Sequence, residues 1–193
     1  MSAARGALLD RCLQVLRRTG FSQLSLREIA AAAGTSHRML IYHFGSREGL
    51  LAQVVERMES EQRALLAGLA TGSGTIFDIS RAFWQRVTAP DMLPVQRLFF
   101  EIYVQALYGR EWTAAFRESV IRAWEDPLTE LFARAGLDDA RARTHARLGL
   151  AVTRGLGLDL LMTGERAQVD AAMDLFATMV RGELARSDAP PPV

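Results

Sequence analysis

A chain of 193 residues can hold one well-cored domain or a small head on a larger body. Its formal net charge of +1 argues against a non-specific polyanion binder, and its one cysteine, Cys12, excludes an intramolecular disulfide framework and fits a reducing cytoplasm. No leader opens the sequence and no apolar run reaches membrane-spanning length, so a cytoplasmic protein without a membrane partner is expected.

Alanine, leucine and arginine dominate and β-branched runs are few, which predicts an all-α fold of about nine helices. The first helix is expected over residues 3–18, with Leu8, Leu9, Cys12, Leu13, Val15 and Leu16 inward and Gly20 as its end. Phe21 and Leu24 continue this small core, and Cys12 reads as packing rather than as a redox sensor. Ser25 is a suitable N-cap, and Glu28 three residues on completes a capping box. Leu26, Ile29, Ala30 and Ala33 recur at helical spacing, so residues 26–33 bury one face. Gly34 ends that helix, because a left-handed turn is least strained without a Cβ. Ser36 caps a second short helix over residues 37–43, with Leu40 and Ile41 expected inward. Helix, glycine turn and helix make the helix-turn-helix pattern, whose second helix enters the DNA major groove. Charge is distributed to suit it: residues 1–50 hold seven arginines against three acids, whereas residues 51–193 hold sixteen against nineteen.

Ser46 is expected to cap a long helix reaching residue 69, followed by a turn over residues 71–74. A helix over residues 75–88 places Ile76, Ile79, Phe83 and Val87 on one face. Pro90, Asp91 and Pro94 mark a linker, after which residues 95–108 bury Val95, Leu98, Phe99, Ile102 and Ala106. Residues 111–135 form a helix around Trp112, Phe116, Val120, Leu128 and Leu131, which Pro127 should kink or restart, and Gly136 ends it. The last two helices, 138–163 and 165–186, divide at Gly164. The first of them is apolar almost all round between residues 148 and 162, interrupted mainly by Arg154 and Asp159. Such a helix needs cover on both sides, one from its own chain and the other most simply from a second copy. Gly149, Gly155 and Gly157 would allow close approach. The final helix turns Val169, Ala172, Met173, Phe176, Met179 and Val180 inward, and the proline-rich residues 188–193 are expected to be disordered.

The stretch over residues 24–51 resembles the N-terminal motif of the TetR family of bacterial transcriptional regulators. Ser25, Ile29, Ala30, Ala33, Gly34, Ser36, Phe44, Ser46 and Leu50 match the family pattern, and Arg47 stands where lysine is usual. Three residues depart from it: Thr35 replaces valine, Met39 stands where threonine is frequent, and Ile41 takes the place of a frequent aromatic, so base readout need not follow any relative. The resemblance implies a three-helix DNA-binding head over residues 1–47, a helical effector-binding and dimerisation body over 48–187, and a tail over 188–193. It also implies a homodimer whose last two helices form a four-helix bundle, with Leu148, Val152, Gly155, Leu156, Asp159, Met173, Phe176 and Val180 at the interface. Arg154 and Asp159 either pair there or are locally solvated.

Short polar side chains and helix-start amides can hold phosphates, which selects Ser25, Thr35 and Ser36. Arg27, Tyr42, His43 and Arg47 are placed for the DNA backbone, and His37, Arg38 and Met39 for the groove. Arg38 can take the paired acceptors of guanine, and Met39 can pack on a thymine methyl. By the same resemblance a small apolar or aromatic effector is expected among Phe83, Phe99, Tyr103, Trp112, Phe116 and Trp124.

No catalytic residue, metal site or cofactor is expected. The chain has no G-x-S-x-G, Cys12 has no histidine near it in sequence, and His37, His43 and His145 are widely spaced. No E-x-x-H occurs, which removes a di-iron bundle. The expectation is a ligand-responsive, sequence-specific DNA-binding regulator, a repressor released from a palindromic operator. The alternatives are an activator, a regulator that requires its ligand to bind DNA, or a helical interaction protein with a vestigial head.

Overall fold

The computed structural model describes residues 3–20 and 24–187, and among these it has nine α-helices and no strand. Phe21 and the tail over residues 188–193 lie outside the described residues. The helices are α1 (Ala3–Thr19), α2 (Leu26–Ala32), α3 (His37–Phe44), α4 (Arg47–Ala70), α5 (Ile76–Val87), α6 (Leu93–Leu107), α7 (Ala114–Arg134), α8 (Asp139–Thr163) and α9 (Arg166–Ser187), with a 3-10 turn at Glu111–Thr113. Contacts group the chain into two compact units, Met1–Gln62 with Pro90–Val120, and Arg63–Ala89 with Ile121–Val193.

In the first unit, α1 packs on α2 and α2 on α3. The buried side chains are Leu8, Leu9, Cys12, Leu13 and Leu16 from α1, Leu26, Ile29 and Ala30 from α2, and Leu40 and Phe44 from α3. Burying each of the larger ones contributes roughly 1.5–3 kcal/mol. Val15, expected inward, is only half-buried. Leu50, Leu51, Val54, Val55 and Met58 carry the core into α4. Beside them Arg57 of α4 pairs with Asp10 of α1 at 3.4 Å, and Arg17 of α1 with Glu61 of α4 at 2.9 Å. These pairs are half-exposed, so they set the register of α4 on α1 more than they add stability.

Helix α6 also packs on α1. Its buried residues are Val95, Leu98, Phe99, Ile102 and Ala106, as the periodicity predicts. Pro94, expected in the linker, lies instead in the first turn of α6, where a missing N–H removes no intrahelical bond. Glu101 of α6 reaches the end of α1, where its Oε1 would stand 2.7 Å from a Cβ on Gly20.

In the second unit, Thr75 and Asp78 form a capping box on α5. One core cluster holds Leu66, Ile79, Trp124, Leu131 and Leu150, and another holds Phe132, Leu137, Ala142, Ala146 and Val180. Trp84 is buried although it lies off the expected face, because its indole N–H donates to Asp170 of α9 at 2.7 Å. Arg166 of α9 donates to the Thr88 carbonyl at the end of α5. Of the two outcomes expected at Pro127, a kink or a restart, α7 does not restart: Trp124, Leu131 and Phe132 are buried on either side and hold the helix through it. Its predicted first turn is the separate 3-10 turn, closed by the Thr113 hydroxyl donating to the Arg110 carbonyl at 2.6 Å.

Helix α8 packs on α9. His145 of α8 places Nδ1 2.8 Å from the Arg141 carbonyl and Nε2 3.0 Å from the Glu183 carboxylate of α9. Hydrogen bonds from Arg141 and His145 hold the Glu183 carboxyl below its usual range. The inward row of α9 is narrower than expected. Val169 and Val180 are buried and Met173 and Phe176 half-buried, while Ala172 and Met179 are exposed, Met179 by 65%. The row 169, 173, 176 and 180 follows the 3.6-residue repeat, and positions 172 and 179 rotate out of it.

Candidate nucleic-acid interface

The site is built on α2, α3 and the turn between them. Ser25 has extended backbone and accepts from the Glu28 amide at 3.3 Å, while the Ser25 amide donates to the Glu28 carboxylate at 2.7 Å. Hydrogen bonds to the Glu28 carboxylate, from the Ser25 side chain first and its amide second, hold that carboxyl below its usual range. Gly34 adopts φ +65° in the turn, a conformation that disfavours a side chain. Ser36 then caps α3 by accepting from the Met39 amide at 3.2 Å. Both helix starts are therefore set by local hydrogen bonds.

Helix α3 buries Leu40 and Phe44 and shows its other side to solvent. His37, Arg38 and Met39 are exposed, and Tyr42 is exposed by 79%. Arg38 and Tyr42, one turn apart, form an outward ridge. Ile41, expected in the core, is 39% exposed. At 100° per residue it lies beside this ridge, one step out of the Leu40–Phe44 row, so an eight-residue helix leaves it uncovered. Of the remaining candidates, Ser25, Arg27 and Ser36 are exposed, and Thr35, His43 and Arg47 are half-buried. The His43 ring meets the Tyr42 ring edge-on at 4.9 Å.

Three arginines fasten the head from within. Arg11 Nε donates to the Ala33 carbonyl at 3.0 Å, at the end of α2. Arg5 Nε donates to the His43 carbonyl at 3.1 Å, at the end of α3, with its guanidinium 5.6 Å from the Phe44 ring centre. Arg47 Nε donates to the Leu24 carbonyl at 3.1 Å, just before α2. Carbonyls at a helix end lack an intrahelical partner and carry negative partial charge, so a guanidinium satisfies them twice over. The sequence shows Arg5 and Arg11 as part of a positive surplus, and their carbonyl partners, 38 and 22 residues away, have no local signal.

The family model of the bacterial regulatory proteins of the TetR family matches residues 8–54, which span α1 to the start of α4. Over those residues the head is similar to the TetR family. No curated protein matches the sequence. Solved structures share the whole fold. A transcriptional regulator from Rhodococcus is 21% identical with a TM-score of 0.79, covering 98% of this chain and 100% of its own. A TetR transcriptional regulator from Legionella pneumophila is 15% identical at 0.74, covering 93% and 98%. The multidrug binding protein EbrR, complexed with imidazole, is 22% identical at 0.66, covering 100% and 94%.

The aromatic candidates separate into two groups. In the first unit Phe99 and Phe116 are buried with ring centres 5.8 Å apart, and Tyr103 meets them at 5.6 and 6.0 Å. Trp112 is half-buried in the 3-10 turn. In the second unit Phe83 and Trp124 meet edge-on at 5.7 Å. The dimer candidates also differ in exposure. Leu148, Gly155 and Asp159 are exposed, Val152, Leu156, Met173 and Phe176 are half-buried, and Val180 lies in its own chain's core. Leu158, Met162, Leu175 and Met179 add 44–79% exposed apolar side chains to the same two helices. Among the described residues no group of histidine, cysteine or acid side chains could hold a metal, and no helix is long and apolar enough to cross a membrane.

Proposed function

We propose that the protein is a homodimeric repressor that binds an inverted-repeat operator through α3 and releases it when a small apolar or aromatic effector binds. The observation that carries this reading is the exposed ridge of α3, with Arg38 and Tyr42 outward, on a head whose helix starts are fixed by Ser25 and Ser36. Arg38 reads guanine, Met39 packs on a base methyl, His37 faces the groove, and Ser25, Arg27, Thr35, Ser36, Tyr42, His43 and Arg47 serve the phosphates.

The effector binds against Phe99, Tyr103, Trp112 and Phe116, which belong to the same compact unit as the head. The packing of α6 on α1, with Glu101 against Gly20, supports direct transmission from that cluster to the head. A ligand that prefers one arrangement of α6 weakens operator binding by its differential affinity, typically 1–3 kcal/mol. Leu148, Leu158, Met162, Leu175 and Met179 join the second copy, because this much exposed apolar surface on two packed helices fits a protein interface.

Selection from a randomised duplex pool tests the reading. The expected result is an enriched inverted repeat, released on titration with members of a panel of aromatic compounds, with Tyr103→Ala reducing release but not operator affinity. No enrichment by a folded dimer, with or without those compounds, would overturn it in favour of a helical interaction protein.

A further inference from the structure

We propose that Ile41 is a specificity-determining residue that reads the C5 methyl of a thymine in each half-site. The proposal rests on the DNA-binding reading of α3 and adds to it a contact made by a side chain that the sequence pattern places in the core. Isoleucine has no hydrogen-bonding group, and this one is 39% exposed beside the Arg38–Tyr42 ridge. On the other flank of that ridge stands Met39, 42% exposed. The helix therefore meets its partner with a polar centre and an apolar group on each side.

Among base edges in the major groove, the thymine methyl is the apolar group available to such a side chain. The two flanks differ in stiffness. Methionine has three rotatable bonds and adapts to its surroundings, whereas a β-branched side chain in a helix is nearly confined to one χ1 rotamer. Ile41 thus holds its methyls at a fixed place, which favours a methyl at one base position over its neighbours. An aromatic residue here, frequent in the family motif, could offer a ring edge or a hydroxyl; Ile41 offers only a shaped apolar surface.

The test uses the operator recovered by selection, with each thymine replaced in turn by uracil, a change that removes only the C5 methyl. The wild-type protein is expected to lose roughly fifteenfold in affinity when both thymines of one symmetric pair are replaced, the scale of one buried methyl in each half-site. Ile41→Ala should bind the unmodified operator more weakly by a similar factor and be insensitive to uracil at that pair. Met39→Ala should keep that sensitivity. Alanine is the better helix former and the site is exposed, so the variant should keep the parent's melting temperature, which a thermal scan checks. If the operator binds but Ile41→Ala and wild type show the same uracil profile, the proposal is wrong and the DNA-binding reading stands. An equal loss on operator and on unrelated duplexes also overturns it. If no duplex is enriched, both readings fail together.

Discussion

Two exposed faces of this molecule carry large apolar side chains, and their surroundings differ. On α3, Met39 and Ile41 flank Arg38 and Tyr42, with His37 beside them. On α8 and α9, Leu148, Leu158, Met162, Leu175 and Met179 are exposed, and Ala151 and Gly155 lie at helical spacing within the α8 stripe. Exposed apolar area alone does not name a partner. Mixed with a guanidinium, an imidazole and a hydroxyl it suits a polyanion with methyl groups on its base edges; beside small side chains it suits close packing against another helix.

The largest expected effect comes from breaking the second face. Leu158→Arg with Leu175→Arg should leave a monomer in sedimentation velocity where the proposed dimer is expected for the parent. Loss of simultaneous engagement of two half-sites should lower operator affinity by about 10²–10⁴. Next comes the contrast between two arginines of the first face. Arg38→Ala should relax preference at one base position, costing about 1–3 kcal/mol, and leave thermal stability unchanged. Arg47→Ala should weaken binding to all sequences and make its salt dependence shallower. Because its Nε holds the Leu24 carbonyl, it should also lower the melting temperature, which Arg38→Ala does not.

Ser25→Ala should destabilise the head by about 1 kcal/mol through loss of the α2 cap, measured by denaturant titration. The smallest effect expected is in pH dependence. The Glu28 carboxyl is held below its ordinary value by Ser25, and Asp78 in the other unit by Thr75. A carboxylate with a depressed folded-state pKa contributes stability that is complete above its unfolded value and lost as pH falls through the folded one. Both units should therefore weaken in acid, and Ser25→Ala and Thr75→Ala should each flatten that acid limb. A parallel shift without flattening would show that the caps are not the groups titrating.

Most of the head was legible because its signals are local. Ser25, Glu28, Gly34 and Ser36 act within four residues of themselves, and the five buried positions of α6 follow one uninterrupted helical repeat. What escaped depends on distance or on a narrow margin. Trp84 is buried through Asp170, 86 residues away, and Arg5 and Arg11 close helix ends they do not adjoin. Ile41 missed the core by a single 100° step, which an eight-residue helix is too short to reveal in its pattern. Pro127 stays within α7 because packing on both sides outweighs the local preference to break. The division of the aromatics between two units follows from which helices pack together, and no stretch of sequence carries that information.

The contact between α6 and α1 has a practical consequence for protein engineering. Arginine ties and caps make the three short helices look like a detachable cassette, yet α6 covers α1 and Glu101 sits on the glycine that ends it. A chimaera joined within α4 would give a grafted head a foreign α6. On the proposed reading, operator choice is better altered by exchanging the outward residues of α3, or by moving the head together with α6 and the start of α7 as one transplant.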